Sequence, residues 1–297
     1  KAGHPFKPVT QKFLTFYIGR KKVDYKSGVN VKWFKKKKRK NSDNIEILNI
    51  DEYFDSYIST LATCHQNKNN FSYVNKNQLN NFSTIAGTSY YIGREGIEFY
   101  PQELMIFTQS NLPALPGCTS LKNIQVKRSK YSVPQQNHLL ETQYLNPLIK
   151  GVDVSPFHVN ISGYIVPFPY ESNNPKIPIS IDRLTKFAPK LTQFYIDNKQ
   201  LILEQTSYNE KIIGNKGDFY SLARVGAYSF ADNYVVFRDN TKWCAAVVSL
   251  IDTQWGGKKR PVFQNHAVSI CQDKEGNYIS NDETHFICGI MNTNTAH

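Results

Sequence analysis

The chain has 297 residues, 40% hydrophobic and 20% charged, with a formal net charge of +12. That length suits one large domain or two ordinary ones with enough core to fold unaided, and the apolar fraction excludes a disordered chain. No apolar run approaches the roughly 18 residues that span a membrane, and the opening KAGHPFKPVTQKF lacks the charged-then-apolar pattern of a secretory signal.

In chain order, residues 13–34 read as strands, rich in β-branched and aromatic side chains, with a turn at Lys26-Ser27-Gly28. The block Lys35–Lys40 reads as the tip of a loop. Residues 49–66 place Ile50, Tyr53, Phe54, Tyr57, Ile58 and Leu61 on one helical face, with Asn49 or Asp51 as N-cap. The Asn-rich 67–84 reads as loop. Residues 89–108 predict a hairpin turning near Arg94-Glu95-Gly96, 109–120 a connector, and 121–133 a short basic strand. The Pro-rich 134–180 reads as a linker or an extended arm. Residues 189–205 predict a second amphipathic helix, with Pro189 in its first turn, where no amide hydrogen bond is lost. The last third alternates strands and turns over 219–225, 229–240, 243–252 and 261–271. A turn at Lys274–Asn277 follows, and 284–292 reads as the start of a helix. The pattern predicts an α+β fold, mixed strands with a few amphipathic helices in two packed subregions. A basic α/β subregion covers 1–133, a Pro-rich connector 134–180, and an α+β subregion 181–297.

The charge is unevenly placed. Residues 1–40 hold 14 Lys and Arg against the single acid Asp24, residues 41–150 hold 8 basic and 9 acidic, and residues 151–297 hold 14 of each. All the excess therefore lies in the first 40 residues. Such a block suits a polyanion, most often nucleic acid, and the plain alternative is a solvated lysine-rich loop. Five widely spaced cysteines without a CxxC argue against a disulfide framework and for a reduced, cytoplasmic compartment. No metal site is expected, since His65 beside Cys64 has no second ligand pair at zinc spacing.

Catalytic signatures are missing. There is no GxGxxG, P-loop, GxSxG or HExxH, and no Pro-Pro pair from which an Asn-Pro-Pro-aromatic motif could be built. Asp239 with Lys242, and Glu283 with His285, invite comparison with a PD-(D/E)xK nuclease, but the D-N-T-K order lacks the acid-x-Lys spacing. No catalytic residue is assigned, and no cofactor is expected in this chain.

One stretch carries a resemblance. Arg224-Val225-Gly226-Ala227-Tyr228-Ser229-Phe230-Ala231, then Tyr234–Arg238, then Ala245–Val248, resembles a segment of adenine-specific DNA methyltransferases that lies downstream of the catalytic domain. QNHAVSIC (264–271) and DETHFICGIMNT (282–293) look like the closing part of the same region, and GREGIEFYPQELMIF (93–107), SKYSVP (129–134) and LNPLIKG (145–151) like its upstream part. The chain is thereby similar, over roughly 90–293, to the target recognition domain of the methyltransferases of type IIS and other type II restriction–modification systems. The resemblance implies sequence-specific binding of double-stranded DNA without methyl transfer. It also implies a methyltransferase catalytic domain, in the parent chain or a partner subunit, that binds S-adenosylmethionine. The first residue is Lys rather than Met, which fits a fragment of a longer chain.

A recognition domain holds phosphates with cations and reads base edges with a few polar groups. The candidate DNA contacts are Arg20, Lys21 and Lys22 with Lys35, Lys36, Lys37, Lys38 and Arg39; Lys127, Arg128 and Lys130; Arg224; and Lys258, Lys259 and Arg260 after Trp255-Gly256-Gly257. For Arg224 a cap or an ion pair is the structural alternative. The 28 asparagines against 8 arginines match an AT-rich coding bias as well as base reading, so no amide side chain is singled out. Two further readings stay open: a nuclease domain of the same system, and a protein-interaction module that docks on a methyltransferase subunit.

Overall fold

The computed structural model describes residues 28–37, 51, 54–63, 71–79, 87–126, 131, 133–204, 217–238 and 243–293. The protein is α+β, with several mixed and antiparallel sheets, and it forms two compact units, Lys1–Ser89 and Tyr90–His297.

The first unit contains a three-stranded antiparallel sheet, β1 (Val29–Lys36), β2 (Phe54–Thr63) and β3 (Phe71–Val74), in the order β1-β2-β3. β1 pairs with β2 from Val29↔Leu61 to Lys36↔Phe54, and β2 with β3 from Thr60↔Val74 to Thr63↔Phe71. Three expectations change here. Residues 54–63 are a strand, not part of a helix: the segment carries Ile58, Thr60 and Thr63, whose branched side chains suit a pleated surface, and Ser56 and Ser59, which are poor helix formers. Lys35 and Lys36 of the expected loop tip Lys35–Lys40 instead end β1, because the pairing that begins at Val29↔Leu61 continues through them to Lys36↔Phe54; Lys38–Lys40 lie outside the described residues. Phe71–Val74 is a strand inside the Asn-rich stretch.

The second unit is larger. In chain order it contains β4 (Tyr91–Arg94), α1 (Gln102–Met105), β5 (Phe107–Gln109), β6 (Cys118–Asn123), β7 (Asn137–Glu141), β8 (Leu145–Ile149), β9 (Val154–Ser155), β10 (His158–Val159) and β11 (Ile165–Pro167). Helices α2 (Ile181–Phe187), α3 (Pro189–Asp197) and α4 (Lys199–Leu203) follow, then β12 (Tyr234–Arg238), β13 (Ala245–Val248), β14 (Ile251–Asp252), β15 (Lys258–Lys259), β16 (Val262–Phe263), β17 (Ala267–Asp273) and α5 (Asn281–Met291).

Six strands form one sheet, β16-β8-β11-β5-β6-β7, antiparallel except for the parallel pair β16/β8. Helices α2–α4 pack on it around Phe107, Leu140, Leu184, Leu191, Phe194 and Tyr195, all buried. Their starts are capped from a distance. The Glu141 carboxylate at the end of β7 accepts the amides of Lys190 and Leu191, each at 2.9 Å, and Asp218 accepts the amide of Ile181 at 2.9 Å. Both carboxylates thus meet a helix N-terminus, where exposed N–H groups and the helix dipole favour negative charge. The predicted helix at 189–205 is α3 and α4, parted at Asn198, whose side chain donates to the Phe194 carbonyl at 2.8 Å.

The second sheet is β13-β12-β17-β4. It is covered on both faces, so β12 reads as an unbroken apolar run, YVVF. Tyr234 and Val236 face one core with Ala246 and Cys271, while Val235 faces another with Ala245 and the α5 residues Ile287 and Cys288. Ser280 and Glu283 start α5 with a reciprocal capping box. Its far end is held by the Asn292 side chain, which donates to the Ala245 carbonyl at 2.8 Å and accepts the Ala245 amide at 3.1 Å.

Two more expectations are corrected by this pairing. Residues 89–108 are not a hairpin: β4 pairs with β17 and β5 lies in the other sheet between β11 and β6. Residues 134–180 are not a connector either, since β7, β8 and β11 are built into the six-stranded sheet. Their strands are only two to five residues long and broken by 3-10 turns, which gives the sequence its irregular look. The units accordingly divide at Ser89–Tyr90.

Candidate nucleic-acid interface

Among the described residues of the second unit, three loops meet at an open polar cleft of about 630 Å³. The end of β5 and its following turn supply Thr108, Gln109, Ser110 and Asn111, the β10–β11 loop supplies Ser162 and Gly163, and the β14–β15 hairpin supplies Gln254. Gln109, Asn111 and Gln254 are exposed. Amide side chains in a cleft can pair with base edges, because one group carries both a donor and an acceptor.

The hairpin that carries Gln254 also carries the predicted basic run. Its turn is closed by Thr253, whose amide donates to the Gly257 carbonyl at 2.9 Å and whose hydroxyl donates to the Gly256 carbonyl at 2.7 Å. Gly256 and Gly257 have φ of +91° and +76°, the left-handed region that glycine adopts without strain. Lys258 is exposed, opposite Asp252 across the hairpin. Lys259 is half-buried and donates to the Gln143 carbonyl at 2.7 Å, and burial pushes its ammonium pKa down. Arg260 pairs with Asp232 at 2.7 Å, with both side chains exposed. An exposed pair of this kind is worth little, so Arg260 can exchange its carboxylate for a phosphate.

Arg224 is engaged inside the unit. Its guanidinium lies 2.9 Å from Glu95 and 3.3 Å from Glu98, and its backbone has φ of +63°. Nearby, the Arg94 guanidinium lies 5.2 Å from the Tyr228 ring centre. The crevice among Glu95, Ile97, Arg224, Tyr228 and Phe263 measures about 20 Å³, room for one water and not for a ligand. Arg224 therefore ties the 224–230 segment to the chain after β4.

In the first unit, Lys35 is exposed and Lys37 donates to the Asp51 carbonyl at 2.7 Å, with Asp55 at 3.9 Å. Lys36 lies in β1, and its side chain is outside the described residues. So are Arg20, Lys21, Lys22, Lys38, Arg39, Lys127, Arg128 and Lys130. Of the predicted contacts in the second unit, the fold leaves Lys258 and Arg260 exposed and engages Lys259 and Arg224 internally, and it adds the amides of the cleft, which no spacing in the sequence marks.

The carboxylates weighed for nuclease chemistry are placed differently. Asp239 and Lys242 lie outside the described residues. Glu283 accepts from the Ser280 amide at 2.8 Å and from the Tyr91 hydroxyl at 3.2 Å, and these bonds hold its pKa down. No group of three or more His, Cys, Asp and Glu could hold a metal among the described residues, and no described helix is long and apolar enough to cross a membrane.

No protein-family model matches the chain, and no curated protein is significantly similar to it.

Proposed function

We propose that this chain is a duplex-DNA recognition domain of a restriction–modification adenine methyltransferase, acting in the cytoplasm. The observation that carries the reading is the polar cleft of Gln109, Asn111 and Gln254, which shares a hairpin with Lys258 and Arg260. Cations on phosphates fix register, and amides beside them read base edges. Further support comes from the segments that resemble a recognition domain, 93–107, 145–151, 224–248, 264–271 and 282–293, which belong to one compact unit. The basic block of residues 1–40 adds sequence-independent attraction to the backbone. Methyl transfer, with S-adenosylmethionine, would fall to a catalytic domain in the parent chain or a partner subunit.

The test is a fluorescence-anisotropy titration of duplex DNA at several salt concentrations. Lys258→Ala and Arg260→Ala should each weaken binding to all duplexes and lower the salt slope by about 1. Neutralising Lys35–Arg39 should flatten the slope further. Gln109→Ala and Gln254→Ala should instead change which sequence is preferred, by about 1–3 kcal/mol at the affected base pair. Absent or salt-insensitive binding overturns the reading.

A further inference from the structure

The sheet of the first unit has two unlike faces. Alternation along β1, β2 and β3 puts Phe54, Thr60 and Ala62 on one side, where they are 6%, 3% and 2% exposed, together with Ile58, which is 67% exposed. The other side carries Trp33, Tyr57 and Tyr73, from three different strands. Tyr57 is 55% and Tyr73 47% exposed. The Trp33 ring lies nearly parallel to Tyr57, at 10° with centroids 6.0 Å apart, and meets Tyr73 edge-on at 4.7 Å. Its indole N–H donates to the Ser59 hydroxyl at 2.5 Å. The small Ser59, 8% exposed, gives the indole its place across β2. The three rings thus form one fixed row, not three loose side chains.

Single exposed aromatics need no explanation, but a contiguous row of them on one sheet face does. The chemistry around the row selects the occupant. Lys35 follows Trp33 on the same face and is exposed, opposite Asp55 of β2; Lys37 follows β1, and the sequence continues Lys38-Arg39-Lys40. In the sequence, the first 40 residues carry fourteen cations against one acid, which favours a polyanion as the partner of this unit. Rings that accept flat groups beside cations that accept phosphates are the two parts of a single-strand binding surface. A duplex keeps its base faces stacked on each other, so only unpaired bases can lie on these rings.

We infer that the Trp33–Tyr57–Tyr73 face is a stacking platform for the unpaired bases of a single nucleic-acid strand, with Lys35 and Lys37 beside its phosphates. It rests on the aromatic row of the first unit, whereas the duplex reading rests on the cleft of the second and shares with it only the cations that follow Trp33.

The experiment uses the whole chain with a labelled oligothymidylate of about 20 nucleotides, a duplex of equal length, and polyglutamate. Tyr57→Ala and Tyr73→Ala should each weaken oligothymidylate binding roughly 5- to 100-fold. Tyr57→Phe and Tyr73→Phe should stay within about twofold of the parent, since the ring and not the hydroxyl stacks. Duplex affinity should change less than about twofold in all four. Tryptophan emission of the unmodified chain should be quenched by oligothymidylate and not by polyglutamate, a readout that needs no variant to fold. Any of three results overturns the proposal: no quenching, alanine variants that bind oligothymidylate like the parent, or equal losses for duplex and single strand. Absence of duplex binding by the unmodified chain, with oligothymidylate binding present, overturns the duplex reading alone.

Discussion

Asn123 sits at the end of β6, 1% exposed, and uses both ends of its amide. Its nitrogen donates to the carbonyls of Glu103 at 2.8 Å and Pro134 at 3.0 Å, and its oxygen accepts the Gln136 amide at 2.6 Å. One side chain therefore joins α1, β6 and the chain entering β7. Asn123→Ala strands these partners in the interior, and we expect urea denaturation to show a loss of about 2–3 kcal/mol with an unchanged m-value. His138 gives a pH signature. It lies edge-on to Phe107 and Phe194, with centroids 5.6 and 5.2 Å away, and burial pushes its pKa down. The unfolded chain then binds more protons below about pH 6.5, so stability falls as pH drops through that value. His138→Phe should remove this contribution, and thermal melts at about pH 7.5 and 5.5 should show a smaller acid loss in the variant. Equal losses would refute the assignment. Neither role could be read in the sequence, because the partners of both residues come from segments separated by turns of unknown geometry. Arg224 is the same case: the strand beside it was legible, but Glu95 and Glu98 lie more than a hundred residues earlier.

At the scale of elements, the legible ones carried their own local signals. Pro189 in a first turn marks α3, whereas α5 was read only from 284 and begins at Asn281, behind the Ser280–Glu283 capping box. The misread ones were decided by pairing. FDSYISTLAT shows apolar residues at helical spacing, yet its β-branched and serine content and its two strand partners make it β2. Backbone contacts between elements also set two glycines apart. A Cβ on Gly96 would lie 2.1 Å from the Gln264 carbonyl, beside the Ile97 amide that donates to Phe263 at 2.6 Å. Gly289, inside α5, has nothing within 4 Å. Gly96→Ala should therefore destabilise by about 1–3 kcal/mol, while Gly289→Ala should stabilise by roughly 0.5–1 kcal/mol through helix propensity. Chemical denaturation of the two variants beside the parent checks the opposite signs.

For the whole molecule, the pattern of elements foretold the α+β class and the charge count its asymmetry, but neither foretold the place where the units divide. The Pro-rich stretch looked like a boundary because prolines and short strands hide pairing partners distant in sequence. The candidate site was half legible: Gly256-Gly257 before three cations mark a hairpin tip, whereas the amides of the cleft converge from two loops that only the fold joins. The pairing of β4 with β17 has a consequence for synthesis. Tyr90, just before β4, hydrogen-bonds to Asp273 across 183 residues, so the second sheet brings the two ends of its unit together. Closing so long a loop is slow. On the ribosome, β4 leaves the exit tunnel long before its partner exists, and its edge must wait unpaired until nearly all of the unit has been translated. A truncation that removed β17 would thus leave β4 without a neighbour and expose an edge of β12, with its apolar run YVVF, to other chains.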